Sequence, residues 1–292
     1  MKIAVMGPLV KDIITIDHKS ETYMGGIPYY EALALKSFGV QVVAYVTYAL
    51  RDENFVKDHM PDIKVVPFYT KNTITHELVY DSKNPNEREV KVPEYDPSVF
   101  PVEENIISEL KSYDYVLLGP LYFENIPDEF FEKMKGHNLA INNFGLFSYH
   151  EKGTLVHKNP ENFVRAAPFL KCISLDEYEM KFASQKNTFE EGARFFVELG
   201  VEQVIVTRGS NGSVIFTKDK EYIIPAFPPK KLIDPTGAGD TYLAGFIFSQ
   251  ELFGDDLEMR GRFAAMSATI AIECAGAYVG NTQEVLDRLG EY

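Results

Sequence analysis

Short apolar runs, each followed by a stretch with helical periodicity, recur along most of this 292-residue chain. "KIAVMG" (2–7) reads as a buried strand, "YYEALALKSFG" (29–39) as a helix stopped by Gly39, and "VQVVAYV" (40–46) as a second buried strand. The rhythm continues through strands at 113–120, 139–145, 172–176 and 201–207, with helices at 127–136, 160–168 and 188–199. Strands that are apolar throughout, alternating with helices, imply an α/β fold with a mostly parallel sheet covered on both faces.

Two regions depart from that rhythm. After "IITID" the chain turns polar, and residues 68–96 alternate in strand fashion around "SKNPNE" with no helix between, which predicts a small antiparallel sheet outside the main one. Residues 213–234 read as a β-meander introduced by the turn "RGSNG". No repeat or low-complexity linker divides the chain, so residues 1–292 are expected to form one domain.

Composition narrows the function classes. With 45% hydrophobic residues the chain can build a large core, and Cys172 and Cys274, each inside an apolar stretch, read as core residues. Twenty-nine basic against 43 acidic residues, a net charge of −14, argue against a nucleic-acid or anionic-membrane partner. No run of about 18 apolar residues is present, and the opening residues lack the apolar core of a secretory signal; the expected location is the cytoplasm.

One stretch carries chemistry. In "DPTGAGDTYLAGF" (234–246), Gly237, Ala238 and Gly239 precede an apolar helix, so their backbone N–H groups and the helix dipole can form an anion hole. Asp240 follows at once, and a carboxylate there would repel the anion unless it faces an attacking hydroxyl, whose proton it could accept during phosphoryl transfer. Asp240 as a plain helix N-cap is the simpler alternative. A Walker A sequence is absent, and Tyr242 takes the place of the last glycine in GxGxxG.

This stretch resembles the C-terminal signature of the ribokinase-like sugar kinases, the PfkB family, and "MGGIPYYEALALKSFG" (24–39) resembles that family's N-terminal signature. The resemblance runs from about residue 1 to 285. It implies a three-layer α/β/α fold with a mostly parallel central sheet and a small β-sheet lid, which would fall on residues 10–26 and 68–96. It makes Asp240 the catalytic base, with Gly237, Ala238 and Gly239 completing the anion hole, and places Asp12, Gly25 and Gly26 at the phosphoryl acceptor.

The same resemblance assigns Thr207, Gly209 and Gly212, in "VTRGSNG", to ATP. It aligns Asp176 and Glu179, in "SLDEYE", with the family's N-x-x-E motif for Mg²⁺ and its waters, with aspartate standing where the family has asparagine. Two carboxylates at i and i+3 share a helix face and suit Mg²⁺ by way of water, but they equally suit the acidic first turn of any helix. Asp234 and Thr236 match positions that serve a monovalent-cation (K⁺) site in potassium-activated relatives. "RFAAMSATIAIECAGA" (262–277) resembles the wall of the adenine pocket, with Ala265 where relatives often carry a polar residue.

The acceptor this pattern suggests is a sugar, a polyol such as inositol, or a nucleoside, since Asp12 can accept from paired hydroxyls. The lid lacks an Arg/Lys cluster, which weighs against an already phosphorylated acceptor, and Lys71, Lys83 and Arg88 are too scattered to decide it. His76, in the lid, reads as a surface strand histidine, with a place near substrate as the alternative. A non-catalytic sensor that binds nucleotide or sugar is the competing function, and a Rossmann dehydrogenase lacks its GxGxxG. Relatives that pair through their lids suggest a homodimer.

Overall fold

Side-chain alternation in the first strand fixes the layering. In β1 (Lys2–Pro8) Ile3 and Val5 join one hydrophobic cluster while Ala4 and Met6 join another, as expected for a strand buried on both faces. The computed structural model describes residues 1–16, 19–81, 84–142 and 145–292.

The remaining strands in chain order are β2 (Val10–Ile16), β3 (Lys19–Gly25), β4 (Gln41–Ala49), β5 (Lys64–Thr70), β6 (Ile74–Asp81), β7 (Asn84–Glu94), β8 (Tyr115–Leu118), β9 (Leu139–Asn142), β10 (Ser148–Glu151), β11 (Thr154–His157), β12 (Cys172–Asp176), β13 (Gln203–Thr207), β14 (Ser213–Phe216) and β15 (Glu221–Ile224). Among the described residues they form a nine-stranded sheet ordered β15-β14-β13-β12-β9-β8-β1-β4-β5. Its pairings from β13 to β5 are parallel, whereas β14 and β15 are antiparallel additions at one edge.

Helices cover both faces. Ala32 of helix Ile27–Ser37, Leu243 of Ala238–Phe248, Phe263 of Leu257–Ala271 and Val285 of Thr282–Leu289 share the first cluster. Phe130 of Asp128–Lys133, Met180 of Glu177–Ser184 and Phe196 of Phe189–Glu198 share the second. The strand order reverses at β1, which lies between β4 and β8. In open α/β sheets the crevice at such a reversal, beyond the carboxyl ends of the strands, is where ligands bind.

A second sheet ordered β3-β2-β6-β7 stands apart. It is the expected small separate sheet, with two corrections to it and one to the edge of the main sheet. Its central β2–β6 pairing is parallel, so the sheet is mixed rather than antiparallel. Residues 68–70 close β5 of the main sheet, and the lid segment begins only at Ile74. The meander read over 213–234 ends with β15 at Ile224, beyond which the backbone is irregular.

Residues 82–83, between β6 and β7, lie outside the described residues, so Lys83 does too, and the side chain of Arg88 is likewise undescribed. The hairpin β10–β11 has no counterpart in the sequence reading; its Gly153 O accepts from Val92 N–H of β7 at 2.8 Å. Cys172 is fully buried as expected, while Cys274 is only half-buried, in the bend after helix Leu257–Ala271.

Candidate active site

Gly237 turns the backbone at φ +75° to start helix Ala238–Phe248, and no side chain caps that start. A β-carbon at Gly237 would lie 2.3 Å from the ring of Tyr30, so glycine lets the helix start close against its neighbour. Gly239 differs, because a β-carbon there would meet only the Asn142 amide at 4.0 Å and would otherwise project into open space. The first-turn N–H groups of a helix have no intrahelical partners. The Ala238 N–H turns back to Pro235 O at 3.3 Å, so the first-turn N–H groups that could meet an anion are mainly those of Gly239 and Asp240.

Asp240 does not cap this helix. Gly237 holds the cap position, and the Asp240 carboxylate instead accepts from Asn142 Nδ2 at 2.5 Å, from the carboxyl end of β9. Although the residue as a whole is half-buried, its carboxyl sits deep enough that burial lifts it from 3.8 to about 7, against a lowering pull from Asn142. Burial, then the charge of Asp176, raises Glu179 to about 8, and Asp240 adds to this.

Glu31, wholly buried on helix Ile27–Ser37, has neither carboxylate oxygen hydrogen-bonded among the described residues. Burial, then the charge of Asp240, hold it well above the usual carboxylate range, since an uncompensated buried charge would be costly. Tyr30 is raised by burial first, then by Asp12 and Asp240, with a smaller push from Asp234. Its phenol thus senses both sides of the crevice.

The lid side is built around Asp12 on β2. A β-carbon at Gly25 would fall 2.0 Å from Asp12 Oδ2, so the glycine makes room for that carboxylate, and Gly26 at φ +97° begins helix Ile27–Ser37. His76, the direct partner of Asp12 in the β2–β6 register, is not a surface histidine: its side chain is 15% exposed, with Nδ1 3.7 Å from Asp12 Oδ1. The reading of a surface strand position fails because this face of the lid packs toward the body, where Tyr122 Oη lies 3.2 Å from His76 Nε2.

Asp176 and Thr207 are register partners at the carboxyl ends of β12 and β13. Asp176 and Glu179 form a reciprocal capping box, with Glu179 N–H on Asp176 Oδ1 at 2.7 Å and Asp176 N–H on Glu179 Oε2 at 2.8 Å. One oxygen of each takes no part in that box, and among the described residues no group of three or more His, Cys, Asp or Glu side chains could hold a metal ion.

Gly212 (φ +82°) closes the turn after Thr207, and a β-carbon there would strike Ile224 O at 2.1 Å; Gly209 is exposed beside it. Asp234 Oδ1 accepts from Thr236 N–H at 2.9 Å and Oδ2 lies 3.4 Å from Gly276 N–H. Ala265 is buried at 8% exposure, and no helix among the described residues is long and apolar enough to cross a membrane.

Residues 73–284, which include six of the nine strands of the large sheet and Asp240 but not Asp12, Gly25 or Gly26, match the pfkB family carbohydrate kinase family. The chain belongs to that family. A pfkB relative, a nucleoside kinase of Methanocaldococcus jannaschii, is 45% identical over 94 residues, which is 32% of this chain and 31% of that protein. Such matches cover less than half the length of these curated relatives.

Whole-chain likeness appears in structure. A pyrophosphate-dependent kinase of the ribokinase family, solved with a pyrophosphate analogue and myo-inositol, superposes with a TM-score of 0.81 at 21% identity, covering 98% of this chain and 99% of that one. Arabidopsis thaliana ribokinase, solved with ribose and ATP, gives 0.79 at 18% identity, covering 99% and 98%. At these identities the likeness is one of fold: a large mostly parallel sheet with helices, and a smaller separate sheet.

Within this pfkB chain the sequence reading missed Asn142, Tyr30, Glu31 and Tyr122. Asn142 left a signal, a polar residue ending an apolar parallel strand at the edge where ligands bind. Glu31 left one too, an acid inside "YYEALAL" where helical periodicity calls for an apolar side chain. Tyr30 and Tyr122 read as ordinary core aromatics, and only the fold places their hydroxyls.

Proposed function

We propose that this chain transfers the γ-phosphoryl group of ATP to a hydroxyl of a small sugar, polyol or nucleoside. The observation that carries this is Asp240, a carboxylate fixed by Asn142 at the mouth of a glycine-capped helix and lifted by burial to about 7. A base with that pKa is matched to neutral pH.

Asp240 takes the proton as the acceptor oxygen bonds to phosphorus, the bond from phosphorus to the β,γ-bridging oxygen breaks, and ADP leaves with that electron pair. Gly237 to Gly239 keep side chains away while the N–H groups of Gly239 and Asp240 meet the transferring oxygens. Asp12, Gly25 and Gly26 hold the acceptor; Thr207, Gly209 and Gly212 line the donor side. Mg²⁺, when bound, supplies charge neutralisation on the phosphates, and Asp176 and Glu179 would orient its waters. Both Asp234 oxygens face backbone N–H groups, so a K⁺ site at Asp234 and Thr236 would draw mainly on backbone carbonyls.

Turnover should be screened by ADP release with sugars, inositols and nucleosides, and by phosphate release with pyrophosphate as donor, since one structural neighbour uses it. Asp240→Asn should cut kcat between about 10²- and 10⁴-fold while ATP binding by calorimetry survives. Near-normal turnover removes Asp240 as the base. Ligand binding without turnover in any donor and acceptor pair would favour the non-catalytic sensor. Pairing through the lid predicts a sedimentation coefficient that rises with concentration.

A further inference from the structure

The lid and the body meet through a short chain of polar side chains at the acceptor residue Asp12. The body end is rigid. Tyr122 is fully buried, and its turn is pinned by Asn125, whose Oδ1 accepts from the N–H groups of Leu121 and Tyr122 at 2.8 Å each, and whose Nδ2 donates to Pro97 O at 2.7 Å. Tyr95 packs edge-on against Tyr122 at 5.0 Å, and His150 stacks on Tyr95 at 4.2 Å.

His76 reaches this wall from the lid. The β6–β7 ladder shifts register between Thr75 and Glu77, directly at His76, and such irregularities re-aim a side chain beside a site. Its Nε2 lies 3.2 Å from Tyr122 Oη and its Nδ1 3.7 Å from Asp12 Oδ1. Burial pushes the imidazole down to about 4 and holds the Tyr122 phenol above its usual 10, so both are neutral at pH 7. The Asp12 carboxylate favours the single ring proton on the Nδ1 that faces it, which leaves Nε2 to accept from the Tyr122 phenol.

We propose that His76, oriented by Tyr122, is a positioning residue for acceptor binding: it steadies the Asp12 carboxylate against Gly25 and so couples the seating of the lid to recognition of a pair of acceptor hydroxyls. The separation of 3.7 Å exceeds a hydrogen bond and closes to one as the lid settles over the acceptor, in the way site contacts tighten in the bound complex. The inference rests on the reading of Asp12 as an acceptor residue. It assigns His76 no contact with the phosphoryl group.

Acceptor affinity and kinetics of the full-length protein test this, with myo-inositol, D-ribose and inosine as probes. His76→Ala should raise the acceptor KM and calorimetric Kd about tenfold while kcat and the ATP KM change less than about threefold. His76→Asn, whose amide can stand in for Nδ1–H, should recover most of the loss. Tyr122→Phe, which keeps the ring and frees the tautomer, should show a smaller rise of the same kind.

An unchanged acceptor KM in His76→Ala, or no recovery in His76→Asn, overturns the proposal while leaving the kinase reading intact. Should His76→Ala fail to fold, an unchanged acceptor KM in Tyr122→Phe overturns it equally. If the wild type neither binds nor phosphorylates any of the three probes, the acceptor reading of Asp12 falls and this proposal with it. ATP binding would then show whether the donor half stands.

Discussion

Two kinds of helix start divide this molecule. Among the described residues, six helices run for eight residues or more, and four of them begin on a side-chain cap: Asp176, Thr188, Asp256 and Asn281 each accept a first-turn N–H. The other two, Ile27–Ser37 and Ala238–Phe248, begin on Gly26 and Gly237 at positive φ with no side-chain cap. Those two starts flank Tyr30 from opposite sides of the crevice, with Asp12 beside one and Asp240 on the other. A side-chain cap satisfies an orphan N–H from within the protein, whereas a glycine cap leaves it for a ligand. The comparison also places Asp176 and Glu179 among the capping groups first, so any part in metal binding is carried by their remaining oxygens.

The largest effects should come from the glycine starts, and they should separate stability from activity. Gly237→Ala forces a β-carbon toward Tyr30 and a left-handed backbone, so it should cost about 2 kcal/mol or more in denaturant unfolding along with activity. Gly239→Ala puts a better helix former into open crevice space, so its stability should hold while kcat/KM falls roughly a hundredfold as the donor is pushed off the N–H groups. If Gly239→Ala kept full activity, the crevice above that turn would not be where phosphate sits.

Next in size is the response to pH. As the proposed base Asp240 must be ionised to take a proton, so kcat/KM should rise about tenfold per pH unit up to about 7 and level off above it. Stability runs the opposite way. The folded carboxyl binds its proton up to about 7 while the unfolded chain releases it near 3.8, so the contribution is full at low pH and is lost as pH rises through that window. Asp240→Asn should therefore raise Tm by a few degrees at pH 8 and leave it nearly unchanged at pH 4. Equal shifts at both pH values would mean that the gain is not electrostatic.

The glycine starts were legible in the sequence because glycine's role is local. "GAGD" and "MGG" state a backbone geometry by themselves, and the alternation of apolar strands and helices states the layered sheet. What the sequence left out depends on pairings between distant segments. The β2–β6 pairing is parallel although its strands are separated by β3, β4 and β5, and only that register puts His76 beside Asp12. Asn142 reaches Asp240 across 98 positions of sequence. The segment 68–70 alternates like its neighbours in the lid, and periodicity alone could not tell that it ends an edge strand of the main sheet.

The smallest expected effect completes the comparison from the other side. Thr188 and Asn281 cap helices whose buried residues serve the core, and each accepts a single first-turn N–H, at 3.2 Å from Glu191 and 2.9 Å from Glu284. Thr188→Ala and Asn281→Ala should each cost about 1 kcal/mol in urea unfolding and leave kcat and both KM values unchanged. Thr188→Gly should cost only a few tenths, because glycine tolerates the cap backbone and leaves the N–H to water. That last variant carries the distinction between the two classes. It makes a glycine start where no ligand waits, and if it gained anion affinity by titration with inorganic phosphate, a glycine cap alone would suffice for binding. If it gained none, the convergence of Asp240, Asn142 and the crevice is what makes Gly237 part of a site.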